Sequence, residues 1–217
     1  MSKRTVIVSG GMLEKDFVIP ILRSEETEFV IGVDRGLEFL YHNEIKPDYI
    51  VGDFDSAPRT LVNYYREELN VPIREFNPVK DASDTEIALR LCLGLNRKEL
   101  WILGATGSRI DHLWANVQCL QIALAANARA RILDSHNQIR LLDKGITLKR
   151  EEAFGKYFSL FPLELPVDGL NITGAKYPLK DHFMKPEDSL CVSNEFAEDE
   201  VVISFAFGKV ILMETRD

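Results

Sequence analysis

The sequence predicts two domains of different class: an α/β N-terminal domain with a mostly parallel sheet over residues 1–134, then a small all-β domain over 135–217. Three observations predict it. Up to about residue 134, short apolar, β-branched runs alternate with longer stretches of helical period. Strand–helix alternation of this kind builds a parallel sheet covered by helices. After Gln138 the helical period stops, and short strands punctuated by Gly, Pro and acidic clusters follow, a spacing suited to an antiparallel sandwich or barrel.

Taken in order, the runs TVIVS (5–9), EFVIGV (28–33), YIV (49–51), 73–76, 100–103 and 131–133 read as strands. Segments 35–44, 59–68, 85–95 and 112–127 read as helices. In the last of these, Leu113, Val117, Leu120 and Leu124 recur every three or four residues and so share one face. Strands are expected beyond them over 146–149, 156–161, 170–173, 189–193, 201–207 and 209–214. No repeat or Pro/Ser-rich linker separates the halves.

A chain of 217 residues with 46% hydrophobic content carries enough apolar mass for one or two cores. Its 26 Lys+Arg against 34 Asp+Glu leave a net charge of −8, and neither half is basic, which argues against a nucleic-acid partner. No apolar run approaches the ~20 residues of a membrane span. The start MSKRTVIVSGG reads as a strand and a turn rather than a signal peptide. Cys92, Cys119 and Cys191 are odd in number, scattered and without a C-x-x-C, so neither a disulfide framework nor a zinc cluster is expected. The expectation is a soluble, acidic, cytoplasmic protein with no membrane partner.

In open α/β sheets ligands sit outside the carboxyl ends of the strands, and the aspartates gather there. Asp34 follows FVIGV. Asp53 and Asp55 lie in Gly52-Asp53-Phe54-Asp55-Ser56. Asp81 and Asp84 lie in Lys80-Asp81-Ala82-Ser83-Asp84-Thr85-Glu86, and Asp111 closes the stretch from Gly104 to His112. Converging carboxylates repel unless a cation joins them. Hard oxygen ligands without His or Cys point to Mg2+ shared with substrate phosphates. Singly, several have plainer explanations. Asp34 and Asp111 precede helices as N-caps do, and Ser83 with Glu86 makes a capping box. The Asp53-x-Asp55 pair is harder to explain so, since an extended segment turns both carboxylates to one side. The glycine-bearing loop 104–109 offers backbone amides and the Arg109 guanidinium to phosphate oxygens. It is not a Walker A loop. Lys80 reads equally well as a surface charge.

The motif order D-R-G at 34–36, G-D-F-D-S at 52–56, K-D-x-S-D-T-E at 80–86 and G-x-T-G-x-R-x-D-H at 104–112 resembles the thiamine pyrophosphokinase family, especially its bacterial branch. The resemblance continues through 174–179 and 193–196, and so spans nearly the whole chain. It implies an α/β catalytic, ATP-binding domain and a β-sandwich thiamine-binding domain, working as a homodimer. It further implies Mg2+-dependent transfer of the pyrophosphoryl group of ATP to the hydroxyl of thiamine, releasing AMP. By motif, Asp53, Asp55 and Asp84 resemble the metal and phosphate centre, and Arg109 and Asp111 further catalytic groups. Asp34, Lys80, Asp81, Ser83, Thr106, Gly107 and Ser108 resemble the ATP side. Tyr177, Ser193 and Asn194 resemble the thiamine-holding part, supplied across the dimer.

Two departures stand out: Ser83 occupies a place where many relatives have Thr, and Tyr177 one where eukaryotic relatives have Trp. An acidic site with an aromatic lid suits the cationic thiamine ring. Asp84 and Asp111 are both candidates to accept the hydroxyl proton, and the sequence does not decide between them. The competing readings are a pyrophosphokinase for another hydroxylated heterocycle and a non-catalytic thiamine- or nucleotide-binding regulator.

Overall fold

The computed structural model describes residues 3–54, 58–76, 82–164 and 166–217. The chain falls into two compact units, Met1–Ser135 and His136–Asp217.

The first unit is built on strands β1 (Arg4–Val8), β2 (Thr27–Val33), β3 (Tyr49–Gly52), β4 (Ile73–Glu75), β5 (Glu99–Leu103) and β6 (Arg129–Leu133). They lie in the order β6-β5-β1-β2-β3-β4, every pair parallel. Helices α1 (Lys15–Leu22), α2 (Gly36–His42), α3 (Arg59–Asn63), α4 (Asp84–Gly94) and α5 (Ile110–Ala125) follow the first five strands in turn. All five residues of β1 are buried, as a central parallel strand covered on both faces requires. The order reverses at β1: the chain runs outward to β4 and then crosses back to place β5 on the other side of β1. Register aligns Val8 with both Gly32 and Leu103, so the segments after β1, β2 and β5 leave the sheet at one edge.

Two differences from the sequence expectation are instructive. No element was expected between β1 and β2, yet α1 forms there with Pro20 inside it. The proline falls in the last turn, where it removes one hydrogen bond without breaking the helix, and Val18 and Leu22, four apart, supply its buried face. The helix expected over 59–68 divides into α3 and a π-helical turn, Tyr64–Glu68, whose end is marked by Leu69 N–H donating to the Tyr64 carbonyl at 3.3 Å. Tyr65 in that turn is 1% exposed.

The second unit holds two antiparallel sheets. One runs β12 (Asn194–Glu195), β9 (Tyr157–Pro162), β14 (Val210–Thr215), β7 (Asn137–Leu142). The other runs β11 (Leu179–Met184), β10 (Val167–Thr173), β13 (Glu200–Ser204), β8 (Ile146–Lys149). Phe158, Leu160, Leu170, Ile172, Val201, Ile203, Val210 and Leu212 contribute to their common core. β13 shows the alternation of a half-buried strand, Val201 and Ile203 inward and their neighbours outward. A buried charge sits at the core's margin. Glu214 is 3% exposed and accepts hydrogen bonds from Gln138 Nε2 (2.7 Å) and Arg140 Nη2 (2.5 Å) through one oxygen. Its other oxygen accepts from Phe154 N–H (3.3 Å).

Strands β7 and β11 were not anticipated. The segment 189–193 is not a strand but a turn, with Val192 N–H donating to the Ser189 carbonyl (3.3 Å) and Ser193 at φ 57°. Its short apolar run Leu190-Cys191-Val192 imitates a strand, but only Cys191 is buried; Leu190 is 61% exposed. Among the described residues no helix is long and apolar enough to cross a membrane, and Cys92, Cys119 and Cys191 are buried free thiols.

Candidate active site

The carboxyl edge of the first sheet gathers three aspartates. Asp34 is the first residue after β2, in a left-handed conformation (φ 47°) that Asp tolerates better than most residues, with its N–H donating to the Val51 carbonyl (3.1 Å). Asp53 is the first residue after β3. Asp84 stands in the first turn of α4, whose N-cap Ser83 accepts from Glu86 N–H at 3.2 Å. A buried Ser9–Thr85 hydroxyl pair (2.9 Å) ties that turn to the end of β1. One carboxylate oxygen from each of Asp34, Asp53 and Asp84 lies within 4.8 Å of the others, all three side chains half-buried. Three hard oxygen donors converging from three elements fit a divalent cation of the Mg2+ type.

The chain after Asp53 is not extended at Phe54. Phe54 has φ 56°, a left-handed backbone rare for a bulky residue, and its ring is buried at 2% exposure. Asp55 lies outside the described residues, as do Lys80 and Asp81.

Beside the cluster, at the point where the strand order reverses, the loops after β1 and β5 are joined backbone to backbone. Ser9 N–H donates to the Leu103 carbonyl, Gly11 N–H to Gly104 and Met12 N–H to Thr106, each at 2.8 Å. Gly104 takes φ 66°, and the buried Asn116 of α5 donates from Nδ2 to the Ala105 carbonyl (2.9 Å), pinning the loop from below. Thr106 Oγ1 is buried and has no hydrogen-bond partner among the described residues. Such a crevice is where open α/β sheets take their ligands. The Ser9-Gly10-Gly11-Met12 turn and Asn116 were not singled out from sequence; the Gly-Gly pair directly after a strand was the available signal for the first.

Arg109 and Asp111 stand at the start of α5, both mostly exposed. The guanidinium holds both carboxylate oxygens, Nε to Oδ1 at 3.1 Å and Nη2 to Oδ2. His112 N–H adds a further bond to Oδ1 (3.0 Å). These bonds, the Arg109 one foremost, hold the Asp111 carboxyl down at about 2. Neither Asp34 nor Asp111 is the N-cap of its helix; Arg35 and Arg109 take those positions.

In the second unit Tyr177 is 56% exposed, with the Lys176 ammonium over its ring at 5.4 Å. Lys176 is held in turn by Glu195 (2.7 Å). Ser193 donates its N–H to Ser159 Oγ (2.9 Å). Asn194 is 4% exposed, and its side chain engages backbone: Oδ1 accepts from Tyr177 N–H (3.0 Å) and Glu195 N–H (2.9 Å), and Nδ2 donates to the Tyr177 carbonyl (2.8 Å).

Comparison with known proteins places this arrangement. Residues 22–132 match the family described as thiamin pyrophosphokinase, catalytic domain, and residues 145–210 its vitamin B1 binding domain. Thiamine pyrophosphokinase from Bacillus subtilis (strain 168) is 32% identical over 97% of this chain and 98% of its own length. A crystal structure of the Bacillus subtilis enzyme superposes with a TM-score of 0.88, covering 99% of this chain and all of the other at 29% identity. One from Geobacillus thermodenitrificans gives 0.85 at 30% identity, covering 99% and 98%. The yeast thiamin pyrophosphokinase, at 16% identity, shares the fold with a TM-score of 0.81 over 99% of this chain and 86% of its own. From its paired domains to its full-length relatives, the chain belongs to the thiamine pyrophosphokinase family.

Proposed function

We propose that this protein transfers the pyrophosphoryl group of ATP to the hydroxyl of thiamine, giving thiamine pyrophosphate and AMP, with Mg2+ as the required ion. The observation that carries the reading is the convergence of Asp34, Asp53 and Asp84 beside the crevice loops in a member of this family. Asp53 and Asp84, with Asp34 beside them and Asp55 by motif, would hold Mg2+, which when bound neutralises charge on the transferring phosphates. Thr106, Gly107 and Ser108 cradle the ATP phosphates with backbone and hydroxyl donors. The Arg109 fork contacts the oxygens that gain charge as AMP leaves. Lys80, Asp81 and Ser83 belong to the same ATP side.

Asp84 and Asp111 both stand as candidates to accept the hydroxyl proton: Asp111 is held down by its bonds to Arg109, which are given up when Arg109 turns to the phosphates, and Asp84 shares its carboxylate with the metal. Tyr177 offers its ring to the cationic thiazolium, with Ser193 and Asn194 beside it. The protein is further proposed to be cytoplasmic, where free thiols persist, and to act as a homodimer.

The test is a coupled assay of AMP release from ATP and Mg2+, run with and without thiamine. The expected result is AMP formed only when thiamine is present, one per thiamine pyrophosphate. Phosphate release in place of AMP, or turnover with a pterin alcohol and none with thiamine, would overturn the proposal.

A further inference from the structure

We infer that Asn194 is a positioning residue that presents the Tyr177 ring, rather than a group that contacts the substrate itself. The inference rests on the reading of Tyr177 as the platform for the thiamine ring. Asn194 is 4% exposed, whereas Tyr177 is 56% exposed, so the two differ sharply in what a ligand can reach. The side chain of Asn194 makes a reciprocal pair with the main chain of Tyr177, accepting its N–H at 3.0 Å and donating to its carbonyl at 2.8 Å. A side-chain amide is the group that can do both at once, because it holds one acceptor and two donors in one plane. The same oxygen also accepts from Glu195 N–H (2.9 Å), which fixes the amide's own orientation.

The local chain is shaped to deliver this contact. Ser193 adopts φ 57° and is tied to Ser159 of β9 through its N–H (2.9 Å), turning the chain so that β12 pairs with β9 while Asn194 meets the 174–177 segment. Further backbone bonds hold that segment to the same stretch. Lys176 N–H donates to the Glu195 carbonyl, and Ala197 and Glu198 N–H groups donate to Gly174, each at 2.9 Å. The side chain after Asn194 completes the arrangement: Glu195 grips Lys176 (2.7 Å), whose ammonium lies over the Tyr177 ring (5.4 Å). An exposed aromatic whose N–H and carbonyl are both clamped by one buried amide loses little conformational freedom when a ligand stacks on it. That saving in ordering cost is what preorganisation means physically.

The experiment is a double-mutant cycle on the full-length enzyme with Asn194→Ala, Tyr177→Ala and the pair, measuring KM for thiamine, KM for ATP and kcat. Asn194→Ala is expected to raise KM for thiamine on the order of ten-fold, leaving kcat and KM for ATP within about two-fold. In the Tyr177→Ala background it should change KM for thiamine by less than about two-fold, because its effect passes through the ring that is gone. Asn194→Asp, which retains both accepted bonds and loses the donated one, gives a smaller rise and serves if the alanine variant folds poorly. Hydrogen exchange supplies a readout independent of substrate: the Tyr177 N–H should lose protection in Asn194→Ala while β10 and β13 keep theirs.

An equal rise in KM with and without Tyr177 would overturn the inference, since Asn194 would then touch the substrate or act through the whole fold. So would an unchanged Tyr177 exchange rate. Should Tyr177→Ala leave KM for thiamine untouched, the reading of Tyr177 as the thiamine platform fails and the inference falls with it; a loss of Tyr177 N–H protection in that case identifies the thiamine reading, not the clamp, as the fault.

Discussion

Gly11→Ala should damage catalysis far more than a single added methyl suggests. A Cβ at Gly11 would fall against the Thr106 carbonyl oxygen and 2.5 Å from that of Gly104, where ordinary contact begins at 3.4 Å. The obstruction is backbone on both sides, so no side chain can swing away. The two crevice loops must part by about an ångström, and the Gly11–Gly104 and Met12–Thr106 hydrogen bonds, both 2.8 Å, are stretched with them. Overpacking of this kind costs roughly 1–3 kcal/mol of stability. For a chain of this size that lowers Tm by roughly 2–12 °C. The loss in function is larger, because an ångström of misplacement in a positioning loop costs on the order of 100-fold in rate. The assay is kcat/KM for ATP at saturating thiamine beside a calorimetric Tm. Gly94→Ala is the control: nothing lies within 4 Å of its Cβ, and it ends α4. It should add about 0.5–1 kcal/mol of stability and leave turnover unchanged. If Gly11→Ala retained parental kcat/KM, the crevice between β1 and β5 would not be where ATP is positioned.

Asp53→Asn and Asp55→Asn should each nearly abolish Mg2+-dependent turnover with the fold intact by circular dichroism, since each removes a charge from hard oxygen ligation without changing shape; chelation of Mg2+ should stop the parental reaction reversibly. Arg109→Lys should lower kcat roughly thirty-fold, because an ammonium cannot reproduce a two-pronged contact, and an unchanged kcat would leave Arg109 as the partner of Asp111 alone. The Asp111 carboxyl, depressed from 3.8 to about 2, keeps its pairing above the unfolded value and loses it only as pH falls through about 2; an NMR titration of Arg109→Ala should show that midpoint rise toward 3.8. Glu214→Ala should cost roughly 1–3 kcal/mol in chemical denaturation, because it removes the buried acceptor shared by Gln138 and the part-buried Arg140 guanidinium, and a loss under about 0.5 kcal/mol would contradict that role. Mixing Asp53→Asn protomers with Tyr177→Ala, Asn194→Ala protomers should restore activity after subunit exchange if the protein works as the proposed homodimer, and an active monomer by sedimentation would contradict it.

What was legible in the sequence was whatever short-range pattern encodes. The alternation of TVIVS-like runs with helical stretches gave the parallel unit, and the aspartates at strand ends pointed to the acidic cluster of Asp34, Asp53 and Asp84. What escaped was set by tertiary context. Polar β11, LKDHFM, has too few inward residues to show alternation, and α1 carries a proline that reads locally as a breaker. The turn at 189–193 misled in the opposite direction, because the apolar run LCV reads like a short buried strand while Ser193 turns left-handed. Asn116 and the Ser9–Thr85 pair act across 11 and 76 residues of sequence, and no local pattern announces partners so distant.

The same contrast explains how the site is held. Asp34 and Phe54, the residues on either side of the acidic cluster's entry from β2 and β3, are both left-handed, and Gly104 is as well. In the first unit, therefore, geometry is fixed by backbone conformation, by loop pressed on loop, and by the side chains of Asn116, Ser9 and Thr85 that tie those loops down. In the second unit it is fixed by one amide bonded to both backbone groups of Tyr177. Substitutions that add a single atom at Gly11 and substitutions that remove an amide at Asn194 should thus be felt in different constants. If ATP is positioned by the loops after β1 and β5 as proposed, the first lowers kcat/KM for ATP. If Tyr177 carries the thiamine ring as proposed, the second raises KM for thiamine, and the two kinetic signatures test the two assignments separately.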